Sequence, residues 1–178
     1  MNYLQKMKGG GQSPPKVGLF EVLWSWIGSF FGIAVVALTH YKILDQIGLT
    51  LIIGSFGASA VLIYGAIRSP LAQPRNLLGG HILSAVIGVT AFQVLGGQPW
   101  LAAALAVSTS IAVMHLTKTL HPPGGATALI AVIGGDSVHN LGYLYVLMPA
   151  ALGAIVMLII ALIVNNIPKN RRYPEFWF

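Results

Sequence analysis

The run Tyr143–Ile163, YLYVLMPAALGAIVMLIIALI, contains no aspartate, glutamate, lysine, arginine or histidine. A helix rises about 1.5 Å per residue, so a run of this length reaches across a hydrocarbon layer of roughly 30 Å. It has no polar face to offer water. Comparable apolar segments occupy Leu19–Thr39, Leu49–Ile67, Leu77–Leu95, Trp100–His115 and about Leu116–Ile133. Composition agrees: 56% of the 178 residues are hydrophobic and 8% charged, where a soluble domain carries about 25% charged residues. The sequence therefore predicts an all-α polytopic membrane protein of about six membrane segments.

The remaining composition excludes several classes. There is no cysteine, hence no disulfide framework and no thiolate metal cluster. The net charge of +6 does not form a stripe that tracks phosphates; Lys6, Lys8 and Lys16 lie at one end and Lys169, Arg171 and Arg172 at the other. Nucleic acid is not an expected partner. No phosphate-binding loop, dinucleotide fingerprint or nucleophile–base pair is visible, and His115 and His121 have the wrong spacing for adjacent helical metal ligands. No enzyme, cofactor or metal is expected.

The basic residues set the orientation. With the N-terminus in the cytoplasm, crossing at every segment brings Arg68 and Arg75 to that side. It also brings Lys169, Arg171 and Arg172 there and leaves Asp136 outside. A re-entrant fifth segment would strand the last basic cluster on the wrong side. The domains expected are a disordered cytoplasmic tail over 1–18, a transmembrane domain over 19–165 and a cytoplasmic interfacial tail over 166–178. The apolar run after the first tail lacks a small-residue cleavage site and reads as a retained span.

Two segments interrupt themselves. The fifth contains HPPGG, His121–Gly125, in which two residues lack an N–H and two lack a Cβ. The second contains GSFG, Gly54–Gly57. At an offset of 68, Gly57-Ala58-Ser59-Ala60 falls on Gly125-Ala126-Thr127-Ala128. Two repeats, about 19–95 and 100–165, would each hold three crossings, and an odd count inverts one against the other. Inverted breaks would aim two helix N-termini, with their free amides and positive dipole ends, at one midplane point. Gly54, Ser55, Gly57 and Ser59 from one break would meet His121, Pro122, Pro123, Gly124, Gly125 and Thr127 from the other. No acidic residue lies in the middle of a segment, since Glu21, Asp45, Asp136 and Glu175 all fall at ends or in loops. Cation and proton pathways commonly use intramembrane carboxylates. The pattern favours a small anion or a neutral solute.

Of the histidines, His121 serves as a proton partner for a weak acid or as a structural cap, and His81 is assigned to packing. His40 and His139 are placed in solvated outer loops. Asn76 is expected to cap the third segment. Arg68 and Arg75 are read chiefly as orientation signals. The small-residue stripes Ser25–Gly28–Gly32 and Gly80–Ser84–Gly88 suit internal packing or a homo-oligomer seam equally. Trp24, Trp26, Trp100, Tyr143 and Tyr145 read as interfacial anchors.

The block HPPGGATAL, His121–Leu129, resembles the signature of the HPP family of integral membrane proteins. GSFGASAVLIYG (Gly54–Gly65) and SPLAQPRNLLGGHILSA (Ser69–Ala85) resemble its other shared blocks, and the likeness runs from about Trp24 to Val164. By motif match the family's named residues are His121, Pro122 and Pro123. Members from cyanobacteria and plant chloroplasts are associated with nitrite transport. The resemblance thus implies nitrite as the leading substrate and a bacterial, cyanobacterial-type inner membrane as the location. Family descriptions often count four spanning helices, against six segments here, and some relatives carry a regulatory domain not visible in this chain. The alternatives to an anion transporter are a passive channel for a neutral or weak-acid solute and a non-transporting scaffold subunit. Lipid bilayer, a nitrite-like anion and a second copy of the chain are the partners considered.

Overall fold

Helix begins where the chain turns apolar. The computed structural model describes residues 2–178, and no strand occurs among them. After one turn at Tyr3–Lys6 (α1), α2 runs over Leu19–Thr39. It continues through a wide π turn, His40–Leu44, and a 3₁₀ turn, Asp45–Ile47, to Gly48, whose φ of 71° ends it. Leu49–Ile53 has no helical structure, and its Leu51 and Ile53 are buried. Then come α3, Ser55–Ala60, which widens into a π turn at Val61–Gly65, and a 3₁₀ turn at Pro70–Ala72.

Three helices start on proline, which suits the first helical position because its missing N–H would have no partner there. They are α4 (Pro74–Leu95), α5 (Pro99–Leu116) and α6 (Pro122–Ile133). A turn at Asp136–His139 (α7) precedes the last span, Val146–Ala151 leading into α8, Leu152–Val164. That span is broken at Met148, whose φ of −143° and ψ of 113° are extended. The residue before a proline is pushed out of the helical region, and Pro149 follows.

Among the described residues, four helices are long and apolar enough to cross a membrane: Leu19–Ile47, Pro74–Leu95, Pro99–Leu116 and Val146–Val164. The expected second and fifth segments are present as shorter apolar helices, Ser55–Gly65 and Pro122–Ile133. The reason is local. Pro122 and Pro123 fix where α6 can start, and its 12 residues cover only about 18 Å, short of the roughly 30 Å core.

Helix α4 is the axis, packed on α5 and α6, while α2 packs on α8 and on the π turn after α3. Both small-residue stripes are used internally. Gly28 and Gly32 receive the ring of Tyr64, and Gly88 lies against the Ala128 backbone, where an added Cβ would stand 2.6 Å from its carbonyl oxygen. The chain's last residues fold back onto the loop after α3. Asn165 Nδ2 donates to the Ile63 carbonyl at 2.8 Å, Arg171 Nη2 to Tyr64 at 2.7 Å and Tyr173 OH to Ala72 at 2.7 Å. A π turn followed by a loop leaves carbonyls without helical partners, and buried ones must find donors elsewhere. Arg171 and Tyr173 are buried by this strap, whereas Phe176, Trp177 and Phe178 stay exposed.

Candidate functional site

The two interruptions meet at side chains. Ser55 and Ser59 lie four residues apart on α3, so they share one face. Pro123 and Thr127 do the same on α6. These faces converge on His81 of α4. Ser59 Oγ lies 2.8 Å from His81 Nε2 and 2.9 Å from His121 Nε2. His81 Nδ1 lies 2.7 Å from Thr127 Oγ1, which donates to Ser55 Oγ at 2.9 Å and to the Pro123 carbonyl at 3.2 Å. His121 Nδ1 faces the Leu71 carbonyl at 2.8 Å. The imidazole centroids are 5.1 Å apart, and Phe56 meets the His81 ring edge-on at 5.2 Å. Ser59, His81, His121 and Thr127 are fully buried and Ser55 nearly so.

Sequence and packing explain how His121 is delivered. Lys118 adopts φ 56° just after α5, and Thr119 N–H closes back on the Met114 carbonyl at 2.8 Å. The first turn of α4 then clamps the returning strand. Arg75 Nε and Nη2 donate to the Lys118 carbonyl at 2.9 and 2.6 Å, and Asn76 Nδ2 donates to Leu120 at 2.9 Å. Contrary to the expectation from its position, Asn76 does not cap α4; Gln73 occupies that place, without a side-chain cap bond. Close approach of α4 and α6 relies on missing side chains. A Cβ on Gly124 would stand 2.6 Å from the Gly80 carbonyl oxygen.

The other expected site residues divide. Gly57 and Gly125 sit two positions from Ser59 and Thr127, hence on opposite helix faces. Gly57 lines a cleft of ≈ 520 Å³ beside Ser25 and Ser29 of α2. Gly125 and Pro122 line another of ≈ 520 Å³ beside Val107 and Ile111 of α5. Gly54 is exposed. The helix starts are also less open than free N-termini would be. Gly124 N–H donates to His121 at 2.8 Å, Phe56 N–H to Ile53 at 3.0 Å and Gly57 N–H to Gly54 at 3.2 Å. What the breaks share is a polar side-chain chain, not a nest of amides.

The sequence suggests a packing role for His81, yet its ring joins Ser59 to Thr127 at the centre of the cluster. The one sequence signal was the Gly79-Gly80 pair before it, which marks a close helix approach. His139 is half-buried, with its ring stacked on Phe92 at 3.6 Å and its Nε2 meeting the Val132 carbonyl at 3.0 Å. Chemically, the cluster offers three hydroxyls and two imidazoles with no carboxylate among them.

Fold and site together define a polytopic helical membrane protein built around a buried hydroxyl–imidazole chain. It belongs to the HPP transmembrane family: residues 14–174 match the family's transmembrane region. The whole chain is 49% identical to a transmembrane protein of Dictyostelium discoideum, of which it covers 58%. It is 46% identical to a second transmembrane protein of that organism, covering 64%. The chain thus spans about six tenths of these relatives' length. Neither comes from a bacterium, so they lend no support to a bacterial inner membrane. No solved structure matches the chain.

Proposed function

We propose that this chain is a membrane transporter of a small inorganic anion, with nitrite as the first candidate, and not an enzyme. The site is the region where the α3 break, Gly54–Ser59, meets the α6 break, His121–Thr127. The observation that carries it is the buried convergence of Ser55, Ser59, His81, His121 and Thr127 at hydrogen-bond distance. Hydroxyls and imidazole N–H groups can donate to an oxyanion, and no acidic side chain in the cluster would repel it. In the conformation described, these groups satisfy one another, so entry of an anion exchanges internal hydrogen bonds for bonds to the ligand.

The same proposal takes the two short helices as crossings completed by the non-helical stretches before them, giving six crossings in two inverted repeats. Both termini then lie in the cytoplasm. The family resemblance supplies nitrite; the donor set supplies the preference for an anion. The test is nitrite flux into proteoliposomes containing the full chain. Protein-dependent, saturable uptake that falls in Ser59→Ala supports a carrier. Linear, non-saturating uptake of the neutral acid would turn the assignment into a passive channel. No protein-dependent flux of any small anion would leave the scaffold role.

A further inference from the structure

We infer that the chain Thr127–His81–Ser59–His121 is a relay that takes up one proton together with the anion. The proton part rests on hydrogen-bond geometry alone; the anion part rests on the transport role just proposed.

The proton positions follow from the partners. The Leu71 carbonyl can only accept, so His121 carries a hydrogen on Nδ1 in every state. When both histidines are neutral, His121 Nε2 is bare and accepts the Ser59 hydroxyl hydrogen. Ser59 has one hydrogen, so its oxygen must accept from His81 Nε2–H. His81 Nδ1 is then bare and accepts from Thr127. The hydrogens of the neutral cluster all point from Thr127 towards Leu71.

Thr127, however, is also aligned to donate to Ser55 Oγ and to the Pro123 carbonyl. When it does so, the direction of the chain reverses. His81 Nδ1–H donates to Thr127, Ser59 donates to His81 Nε2, and His121 must donate from Nε2 to Ser59. His121 then holds hydrogens on both nitrogens. The two arrangements differ by one proton and require no heavy atom to move. A proton arriving at the Thr127 oxygen displaces that residue's hydrogen to His81 Nδ1. The His81 Nε2 hydrogen passes to Ser59, and the Ser59 hydrogen passes to His121 Nε2. Thr127, His81 and Ser59 each make one bond to hydrogen and break one, and His121 makes one, so the cluster gains a single proton. The added charge stays on the imidazolium.

Among the described residues no carboxylate forms an ion pair with either imidazole. From α4, Arg75 is spent on the Lys118 carbonyl, and Lys118 itself is exposed. The Tyr145 hydroxyl, ahead of α8, donates to the Thr127 carbonyl, and that of Tyr173, from the strap, to Ala72. His115 of α5 and Arg68 of the loop after α3 are exposed. From α2, Glu21 faces Arg171 at 3.7 Å; α3, α6 and α8 contribute no further titratable group. An unpaired charge in a buried, lipid-surrounded site is strongly disfavoured. A bound anion removes that penalty, so proton and anion enter as a pair.

The decisive measurement is nitrogen-15 NMR of the full chain labelled at its five histidines. His40→Gln, His115→Gln and His139→Gln assign the signals from outside the cluster. The expected result is that His121 gains its second proton as His81 changes tautomer, from Nε2–H to Nδ1–H, in one step. Retention of the His81 tautomer while His121 titrates would overturn the relay. So would two neutral histidines at every pH at which the protein stays folded. In weakly buffered detergent, a pH indicator should show about one proton taken up per nitrite bound. Nitrite binding without proton uptake would defeat the pairing and leave anion transport standing. Absence of binding by nitrite and every other small inorganic anion would defeat the transport role, while the tautomer experiment would still decide the relay.

Discussion

Gly80 and His121 meet with no room for a side chain between them: a Cβ added at Gly80 would stand 2.5 Å from His121 Cβ and 3.2 Å from the Thr119 carbonyl oxygen. Neither obstacle is the far end of a flexible side chain, so Gly80→Ala must push α4 away from the strand carrying His121. Overpacking of this kind costs about 1–3 kcal/mol, and it lengthens the links from Ser59 to both imidazoles. We expect a lower unfolding midpoint in detergent. The control is Gly57→Ala, where an added Cβ meets nothing within 4 Å and the helix gains about 0.5–1 kcal/mol. Equal midpoints for the two variants would contradict the close approach.

Thr127 supplies one hydroxyl to three partners: His81, Ser55 and the Pro123 carbonyl. Thr127→Val keeps the shape and removes the hydroxyl, leaving buried polar groups without a partner at about 1–3 kcal/mol. Thr127→Ser retains the hydroxyl. Nitrite flux should fall in the first and persist in the second when corrected for the amount of folded protein. Equal flux in both would remove Thr127 from the site.

How much of this was legible depends on the range of the forces involved. The bounds of α2 and α5 follow from the length of apolar runs, a local property, and the start of α6 follows from Pro122 and Pro123. That Ser55 pairs with Ser59, and Pro123 with Thr127, is also readable, because helical periodicity puts residues four apart on one face. The same periodicity turns Gly57 and Gly125 outward, a consequence the repeat alignment concealed by treating each break as a unit. His81 was not legible: its partners lie 22 and 46 positions away, and nothing local says which face of α4 meets α6. The strap was hidden for a like reason. Asn165 and Arg171 serve carbonyls of the π turn at Val61–Gly65, and a hydropathy pattern does not reveal a π turn.

The Tyr64 ring lies across Gly28 and Gly32 of α2, and its hydroxyl reaches the Met157 carbonyl of α8 at 3.0 Å. A Cβ at Gly32 would overlap that hydroxyl. Gly32→Ala is expected to destabilise by about 1–3 kcal/mol, and Tyr64→Phe by about 1 kcal/mol through the lost hydrogen bond. The double variant relieves part of the overlap, so its loss should be smaller than the sum. A coupling of about 0.5 kcal/mol or more in a double-mutant cycle would show the contact; strict additivity would argue that Tyr64 packs elsewhere.

Tyr173 is 2% exposed in the strap, with its hydroxyl donated to Ala72. Burial raises its pKa above the ordinary tyrosine range, because a phenolate there would lose its hydration and face a carbonyl oxygen. The folded state therefore holds this proton more tightly than the unfolded state. Below the unfolded value of about 10, both states are protonated and the strap contributes fully. As the pH rises past that value, only the unfolded chain releases the proton, and stability falls by linkage. Tyr173→Phe cannot titrate. It should be less stable than the parent at neutral pH, by about 1 kcal/mol for the lost hydrogen bond, and should lose less on going from pH 9 to 11 (about one unit either side of the unfolded value). Unfolding midpoints across that range check both signs. Parallel curves for parent and variant would mean that the phenol is already in contact with water, and that the strap does not close over Ala72.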